Sequence, residues 1–365
     1  MLGTSLNVCG GITAVEKMIM SNAGNNLFFI LVPTVVPGSF IKNGVAYWSS
    51  MYRLFFLLLC KKIDFVHLHF AERGSTFRKI LPATISIFFK CPLILHAHSA
   101  NYHDFFSLLP SAIRKIVISV FNKCTVFISV SRSWEAYFVN TFSLRANQSV
   151  VLYNPVQLPD EIPQRQPLHQ PVIFLFLGHI GPRGGGLEKT KFLFKFSNQD
   201  KGAFDIIKAY SSLPEDLKSA SRIIMAGDGA VSGARELVAK RGVSENITVL
   251  SWVNSTQRDE LLGKSDVFIL PSYHEGLPMS MLEAMAWGMP VIVSAVGGIP
   301  EFVANNQEGL LVTPGNINEI SDAMQKLIVN SDLRKAMGLL SRKRVEKLSV
   351  NKYMSNLTSM YLRYS

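Results

Sequence analysis

The stretch Pro271–Glu301, PSYHEGLPMSMLEAMAWGMPVIVSAVGGIPE, decides how this chain is read. It follows an apolar, strand-like run over Asp266–Leu270 and carries two glutamates, Glu275 and Glu283. On one continuous α-helix their spacing would turn through roughly 800° and leave the carboxylates about 80° apart, off a common face. The Gly276-Leu277-Pro278 break predicts another arrangement, with Pro278 near the first helical position and Glu275 in the loop before it. Glu275 then sits by the positive end of a helix, and Glu283 lies about one and a half turns further in. Peptide N–H groups after Glu275 are placed to meet an anion. Carboxylates that accept from hydroxyls, beside a helix end that favours phosphate, suit a ligand carrying both groups. The same residues allow a plainer reading, in which Ser280-Met-Leu-Glu283 is a capping box and Glu283 only closes a helix start.

Working outward, Glu-x7-Glu is followed by Ala284-Met-Ala, Gly288, Pro290-Val-Ile292, Gly297-Gly298 and Glu301. From Ser265 to about Pro314 this pattern resembles the retaining glycosyltransferases of family 4, which have the GT-B fold. The resemblance implies an α/β protein of two Rossmann-like domains facing across a cleft, the last helix crossing back to the first domain. It implies transfer of a sugar from a nucleotide diphosphosugar, with retention at the anomeric carbon. On it, Glu275 meets donor sugar hydroxyls with Gly276, Leu277 and Pro278 beside it, and Glu283 meets the ribose. Lys201, with His179 or Arg183, faces the diphosphate; His98 lies beside the reacting sugar; and Gly10 and Gly11 let backbone approach the diphosphate. Glu275, His98 and Lys201 are the expected catalytic set.

The chain's bounds agree with that reading. Its 365 residues suffice for two domains with separate cores. Hydrophobic residues make up 48% of the chain and mean hydropathy is +0.22, yet no apolar run reaches the roughly 18 residues of a spanning helix. No basic stretch followed by an apolar core opens the chain, so no signal peptide is expected. Cys9, Cys60, Cys91 and Cys124 lie far apart and read as buried thiols of a reducing compartment. A cytoplasmic location follows, peripheral to the inner membrane face.

Of the net +11, residues 1–155 hold +9, from 14 Lys and Arg against 5 Asp and Glu. No nucleic-acid motif accompanies this charge. Basic residues instead flank apolar segments, as in Arg53-LFFLLLC-Lys61-Lys62 and Arg78-Lys79-ILPATISIFF-Lys90. That pattern suits interfacial helices on anionic lipid, and equally ordinary helices packed on a sheet. The expected partners are a nucleotide-sugar donor, a saccharide or lipid-linked acceptor of surface-polysaccharide assembly and an anionic membrane.

Along the chain, Met1–Leu6 reads as the tail of a first strand, Gly10-Gly11 as a loop and Thr13–Ser21 as a helix. Strand-like runs follow at Leu27–Val32, Phe65–His69, Leu93–Ala97, Thr125–Val130 and Val150–Leu152, alternating with helical ones. Alternation of this kind predicts a parallel, helix-covered sheet. His98 closes the Leu93 run, where open α/β sheets bind ligands, and Ser99 stands where the family has glycine. His67, His69, His96 and His103 crowd nearby. Their strand positions are taken to alternate and no carboxylate spacing joins them, so no metal is expected.

Prolines at 155, 159, 163, 167 and 171 exclude helix and mark a linker over 156–171. The domains are thus 1–155 and 172–350, with 351–365 returning to the first. After the strand-like Val172–Gly178, His179 stands where the family has arginine. Lys201-Gly202 arrives only after a detour, Gly184–Asp200, whose removal restores the family's spacing and which reads as a protruding loop. Gly227-x-Gly229-x-x-x-Gly233 imitates a dinucleotide fingerprint, but the next strand, Ile247–Leu250, ends in Ser251-Trp252 where that fingerprint needs an acid. Helices are expected at Gln257–Leu262, Ile317–Ile328, from Ser331 onward, and at Asn351–Leu362. With no Asp-x-Asp in a suitable place, no metal or other cofactor is expected. A nucleotide-sugar epimerase and a non-catalytic sugar-nucleotide binder remain alternatives.

Overall fold

Each half of the chain builds its own six-stranded parallel sheet. The structure is a computed structural model and describes residues 1–8, 10–24, 27–163, 171–181 and 201–364. Arg183 and the Gly184–Asp200 detour lie outside the described residues, as does Cys9. The chain divides into two compact units, Met1–Pro155 with Leu348–Ser365, and Val156–Lys347.

The first unit contains β1 (Leu2–Gly3), β2 (Val32–Pro33), β3 (Val66–Phe70), β4 (Leu93–Ala97), β5 (Val126–Ser129) and β6 (Ser149–Val151), in spatial order β2-β1-β3-β4-β5-β6. β3, β4 and β5 are buried throughout, as continuous runs such as Leu93-Ile-Leu-His-Ala97 require when helices cover both faces. On one face Phe70, Phe121, Phe127, Phe138 and Phe142 interlock in edge and stacked contacts. On the other, the returning helix Val350–Tyr364 packs Tyr361 flat against Phe65, centroids 4.3 Å apart. Its Tyr364 hydroxyl donates to the Asn147 carbonyl at 3.4 Å.

Several expectations need correction here. Leu27–Val32 is not a strand; only Val32 and Pro33 pair, because β1 offers Leu2 and Gly3 alone as ladder partners. Phe28, left outside that ladder, is exposed. The first helix begins earlier than expected, at Gly11, because Gly10 serves as its N-cap. Cys124 is buried, but Cys91 is half-buried and Cys60 is exposed, since it ends the helix Phe40–Leu59 on its outer side. That helix is capped by Ser39, whose hydroxyl accepts from the Lys42 N–H at 3.3 Å. It buries Met51, Leu54 and Leu58 and leaves Ile41, Val45, Trp48, Tyr52 and Leu59 exposed as a stripe.

The second unit contains β7 (Val172–Leu177), β8 (Ser221–Ala226), β9 (Ile247–Leu250), β10 (Val267–Leu270), β11 (Val291–Ser294) and β12 (Gly309–Val312), in order β12-β11-β10-β7-β8-β9. Its helices include Ala203–Ser211, Val231–Lys240, Ser255–Lys264, Met279–Ala286, Ile317–Val329 and Ser331–Val345. The capping-box reading of Ser280–Glu283 fails. The helix starts at Met279 after Pro278, with no side-chain cap, so Ser280 is already inside the first turn. A capping box does form elsewhere, at Asn254: its side chain accepts from the Gln257 N–H, and the Gln257 side chain returns the bond.

Candidate active site

In the second unit the chain leaves β7 for β8 on one side and later returns to β10 on the other. The loops after β7 and β10 therefore diverge, opening a crevice at the carboxyl edge of the sheet. Lys201 enters it just before the helix Ala203–Ser211, and Glu275 enters from the loop after β10. The Lys201 Nζ donates to Glu275 Oε1 at 2.7 Å, and the Ser272 hydroxyl donates to the same oxygen at 2.8 Å. The two charged side chains are only 15% and 5% exposed.

Two glycines make this meeting possible. Gly202 has φ +73°, and a Cβ there would lie 2.4 Å from the Pro271 carbonyl oxygen. Only a glycine lets the segment carrying Lys201 press against the end of β10. Gly297, φ +55°, sits closer still behind the Glu275 carbonyl, where a Cβ would lie 1.9 Å from the oxygen. The next residue, Gly298, donates its N–H to the Gly276 carbonyl at 2.7 Å, holding the glutamate loop against the loop after β11. Tyr273 adds a further tie, donating to Asp205 at 2.9 Å.

Glu283 sits in the second turn of Met279–Ala286 and is nearly buried. Its Oε1 accepts from Arg258 Nη1 at 2.8 Å. Burial pushes its carboxyl up to about 7; the Arg258 guanidinium opposes that rise and Asp259 adds to it. Leu277 and Pro278 bridge the two glutamates, Leu277 buried and Pro278 as the helix N-cap. His179, after β7, pairs its Nδ1 with Asp228 Oδ1 at 2.9 Å. The loops carrying them are stitched by Ile180 N–H to the Asp228 carbonyl at 2.8 Å and Ala230 N–H to the Ile180 carbonyl at 2.7 Å. The glycines that imitated a dinucleotide fingerprint thus build the partner of His179. Lys201, Glu275, Gly276, Leu277, Pro278, Glu283 and His179 all lie in this one unit; Ser272, Arg258 and Asp228 are partners of Glu275, Glu283 and His179 that the motif did not reveal.

In the first unit, Gly10 and Gly11 open the helix Gly11–Ser21 after β1, and His98 follows β4. The His98 N–H donates to the Phe70 carbonyl at 2.8 Å, and its Nε2 shares a hydrogen bond of 2.9 Å with His69 Nδ1. Burial pushes His98 down to about 3, so its imidazole is neutral in ordinary buffers. Contrary to the expected alternation, His67 and His69 stand two residues apart on β3 and share a face, and His69 pairs in register with His96 of β4. The four rings pile together, with centroid separations from 4.1 to 5.4 Å. Among the described residues, His67 Nε2, His69 Nε2 and both nitrogens of His96 have no hydrogen-bond partner although buried. Each such atom costs about 1–3 kcal/mol when left unmet.

Comparison with known proteins agrees with this architecture. The family model "Glycosyltransferase Family 4" matches residues 20–159, and "Glycosyl transferases group 1" matches residues 186–344. The chain is 30% identical over 149 residues to a GDP-mannose-dependent phosphatidylinositol monomannoside mannosyltransferase of Mycobacterium tuberculosis, covering 39% of each. It is 28% identical over 178 residues to an N-acetyl-alpha-D-glucosaminyl L-malate synthase of Bacillus anthracis, covering 48% of this chain and 46% of that one. These matches thus span less than half the length of either relative. Among solved structures, HepE of Anabaena in complex with UDP superposes with a TM-score of 0.75 at 14% identity, covering 99% of this chain and 98% of that one. The two models take in most of the sequence without overlapping, and the chain belongs to the group 1, family 4 type glycosyltransferases and has the GT-B fold.

Proposed function

We propose that this chain transfers a sugar from a nucleotide diphosphosugar to a saccharide acceptor, with retention at the anomeric carbon. The observation that carries the reading is the buried Lys201–Glu275 pair, joined by Ser272, at the crevice between β7 and β10. Glu275 is the acceptor for donor sugar hydroxyls, and Lys201 is a cation fixed beside it. When the glycosidic bond breaks, the departing nucleoside diphosphate gains negative charge. A preorganised ammonium, with His179 next to it along the carboxyl edge, offsets that charge without solvent having to reorganise. We assign Glu283 to the ribose, with the Arg258 guanidinium favouring its carboxylate against the opposing effect of burial. Gly10 and Gly11 belong to the backbone approach, Arg183 to the diphosphate, and His98 to the sugar as a neutral hydrogen-bonding group. The HepE structure bound to UDP supports a nucleotide donor.

The acceptor we propose is lipid-linked. Its support is the exposed stripe Ile41, Val45, Trp48, Tyr52 and Leu59, with Lys42, Arg53, Lys61 and Lys62 around it on or just after the same helix. An apolar face bordered by cations suits an anionic bilayer surface, and no helix among the described residues is long and apolar enough to cross a membrane.

The experiment is a screen of radiolabelled UDP-, GDP- and dTDP-sugars against membrane extract, with a parallel incubation lacking acceptor. Label in an extractable lipid-saccharide, lost in Glu275→Ala, is the expected result. Epimer formation without acceptor would replace this reading with an epimerase, and donor binding without any turnover would replace it with a binding protein.

A further inference from the structure

We propose that His67, His69 and His96 form a binding site for a first-row transition-metal ion of the zinc class, lying wholly within the first unit. The inference does not depend on the transfer reading, since none of its three ligands is a group that reading uses.

The geometry is the first support. Each of the three histidines offers a ring nitrogen, and these atoms all lie within 4.8 Å of one another. Zinc bound tetrahedrally by imidazoles at about 2.0–2.1 Å needs nitrogens about 3.3 Å apart. Side-chain rotations within the stacked cluster close that difference, the ring centroids of the three histidines lying 4.3 to 5.4 Å apart. Register enforces the grouping: His67 and His69 share one face of β3, and His96 is the cross-strand partner of His69.

The second support is the unmet nitrogens. A buried imidazole normally finds a partner for each ring atom. Here His67 Nε2, His69 Nε2 and both His96 nitrogens lack one among the described residues, although all three side chains are at most 1% exposed. His67 and His69 each have their other ring nitrogen partnered. His67 Nδ1 bonds the Tyr361 hydroxyl at 2.6 Å, and His69 Nδ1 bonds His98 Nε2 at 2.9 Å. Metal-ligating histidines use their second nitrogen in this way, which fixes the ring and leaves the other lone pair aimed at the ion.

Three imidazoles leave one coordination position for water, and nitrogen ligands favour zinc, cobalt, nickel or copper over magnesium or calcium. Such an ion would tie β3 to β4 and, through His69, fix the orientation of His98.

The test uses the full chain without a polyhistidine tag, stripped by chelator and then equilibrated with cobalt(II). The expected result is a visible d–d absorption band that saturates at about one ion per chain and disappears when excess zinc displaces it. His96→Gln should abolish the band while far-ultraviolet circular dichroism is unchanged. Should that variant not fold, Tyr361→Phe replaces it, with affinity about 10–100-fold weaker, as loss of a ligand-orienting group predicts. A parent protein that gives no saturable band, a band that survives in folded His96→Gln, or an affinity unmoved in Tyr361→Phe each overturns the proposal.

Discussion

Replacing Glu275 by alanine removes the acceptor for both Lys201 and Ser272 and leaves an ammonium that is only 15% exposed. Breaking a buried pair from one side costs about 3–5 kcal/mol; since Lys201 retains a path to solvent, the low end, about 3 kcal/mol, is expected for stability. The catalytic loss is separate. One positioned polar contact in a transition state contributes on the order of 3 kcal/mol, so turnover should fall at least about a hundredfold. Because the two losses are similar in size, the assay must divide them: turnover is expressed per folded molecule, with the folded fraction read by urea denaturation of the same sample. The companion variant Lys201→Met with Glu275→Gln removes both charges while keeping volume. It should recover much of the stability, as isosteric replacement of buried pairs does, and none of the turnover. Turnover of Glu275→Ala within about threefold of the parent, on a verified donor, would refute the assignment; so would recovery of turnover in the double variant, which would make the pair structural.

Glu283 yields a pH prediction. Its folded-state value of about 7 lies above the ordinary carboxylate value of 4.5, so the folded protein holds that proton more tightly. The stability it contributes is fully present below about 4.5 and declines as pH rises through about 7. Donor affinity should run the other way, because ribose hydroxyls need the carboxylate as acceptor; Glu283→Gln should flatten both profiles, and an unchanged donor KM slope would count against the ribose role. Arg258→Ala should weaken donor binding at pH 7 about tenfold with kcat nearly kept, measured by titration calorimetry and steady-state rates, since the ribose is remote from the reacting bond; a loss confined to kcat would place Arg258 elsewhere. Trp48→Ser with Tyr52→Ser should reduce flotation on anionic vesicles, and salt should release the parent as screening shortens to about 3 Å at 1 M. Equal binding to neutral vesicles would remove the electrostatic part of the argument.

What was legible in the fold is what neighbouring residues decide. Leu93–Ala97 and Val267–Leu270 are continuous apolar runs bounded by turn residues, and both are central strands. Leu27–Val32 looks similar and is not a strand, because strand formation needs a partner ladder and β1 supplies two residues. The Ser280 capping box failed for a related reason. Pattern alone permits two helix starts, and the Gly276–Pro278 turn, tied by its Gly276 carbonyl to Gly298, selects the earlier one.

The candidate site divides along the same line. Glu275, Gly276 and Glu283 lie within one short stretch, so local sequence locates them. Arg258 approaches Glu283 from a separate helix 25 residues away, and Asp228 approaches His179 from 49 residues away. No spacing rule links such pairs; His179 meets Asp228 because β7 and β8 are neighbours, and Arg258 meets Glu283 because their helices come just before and just after β10. The histidine cluster lies between these cases. The two-residue spacing in Val66-His-Leu-His-Phe70, and again in His96-Ala-His98, already places each pair on one face of its strand. Whether the pairs join depends on strand register, and a slip of one residue would send β4's histidines to the opposite face. The observed pairing of His69 with His96 is therefore the step that converts two unremarkable strand motifs into one cluster of four rings.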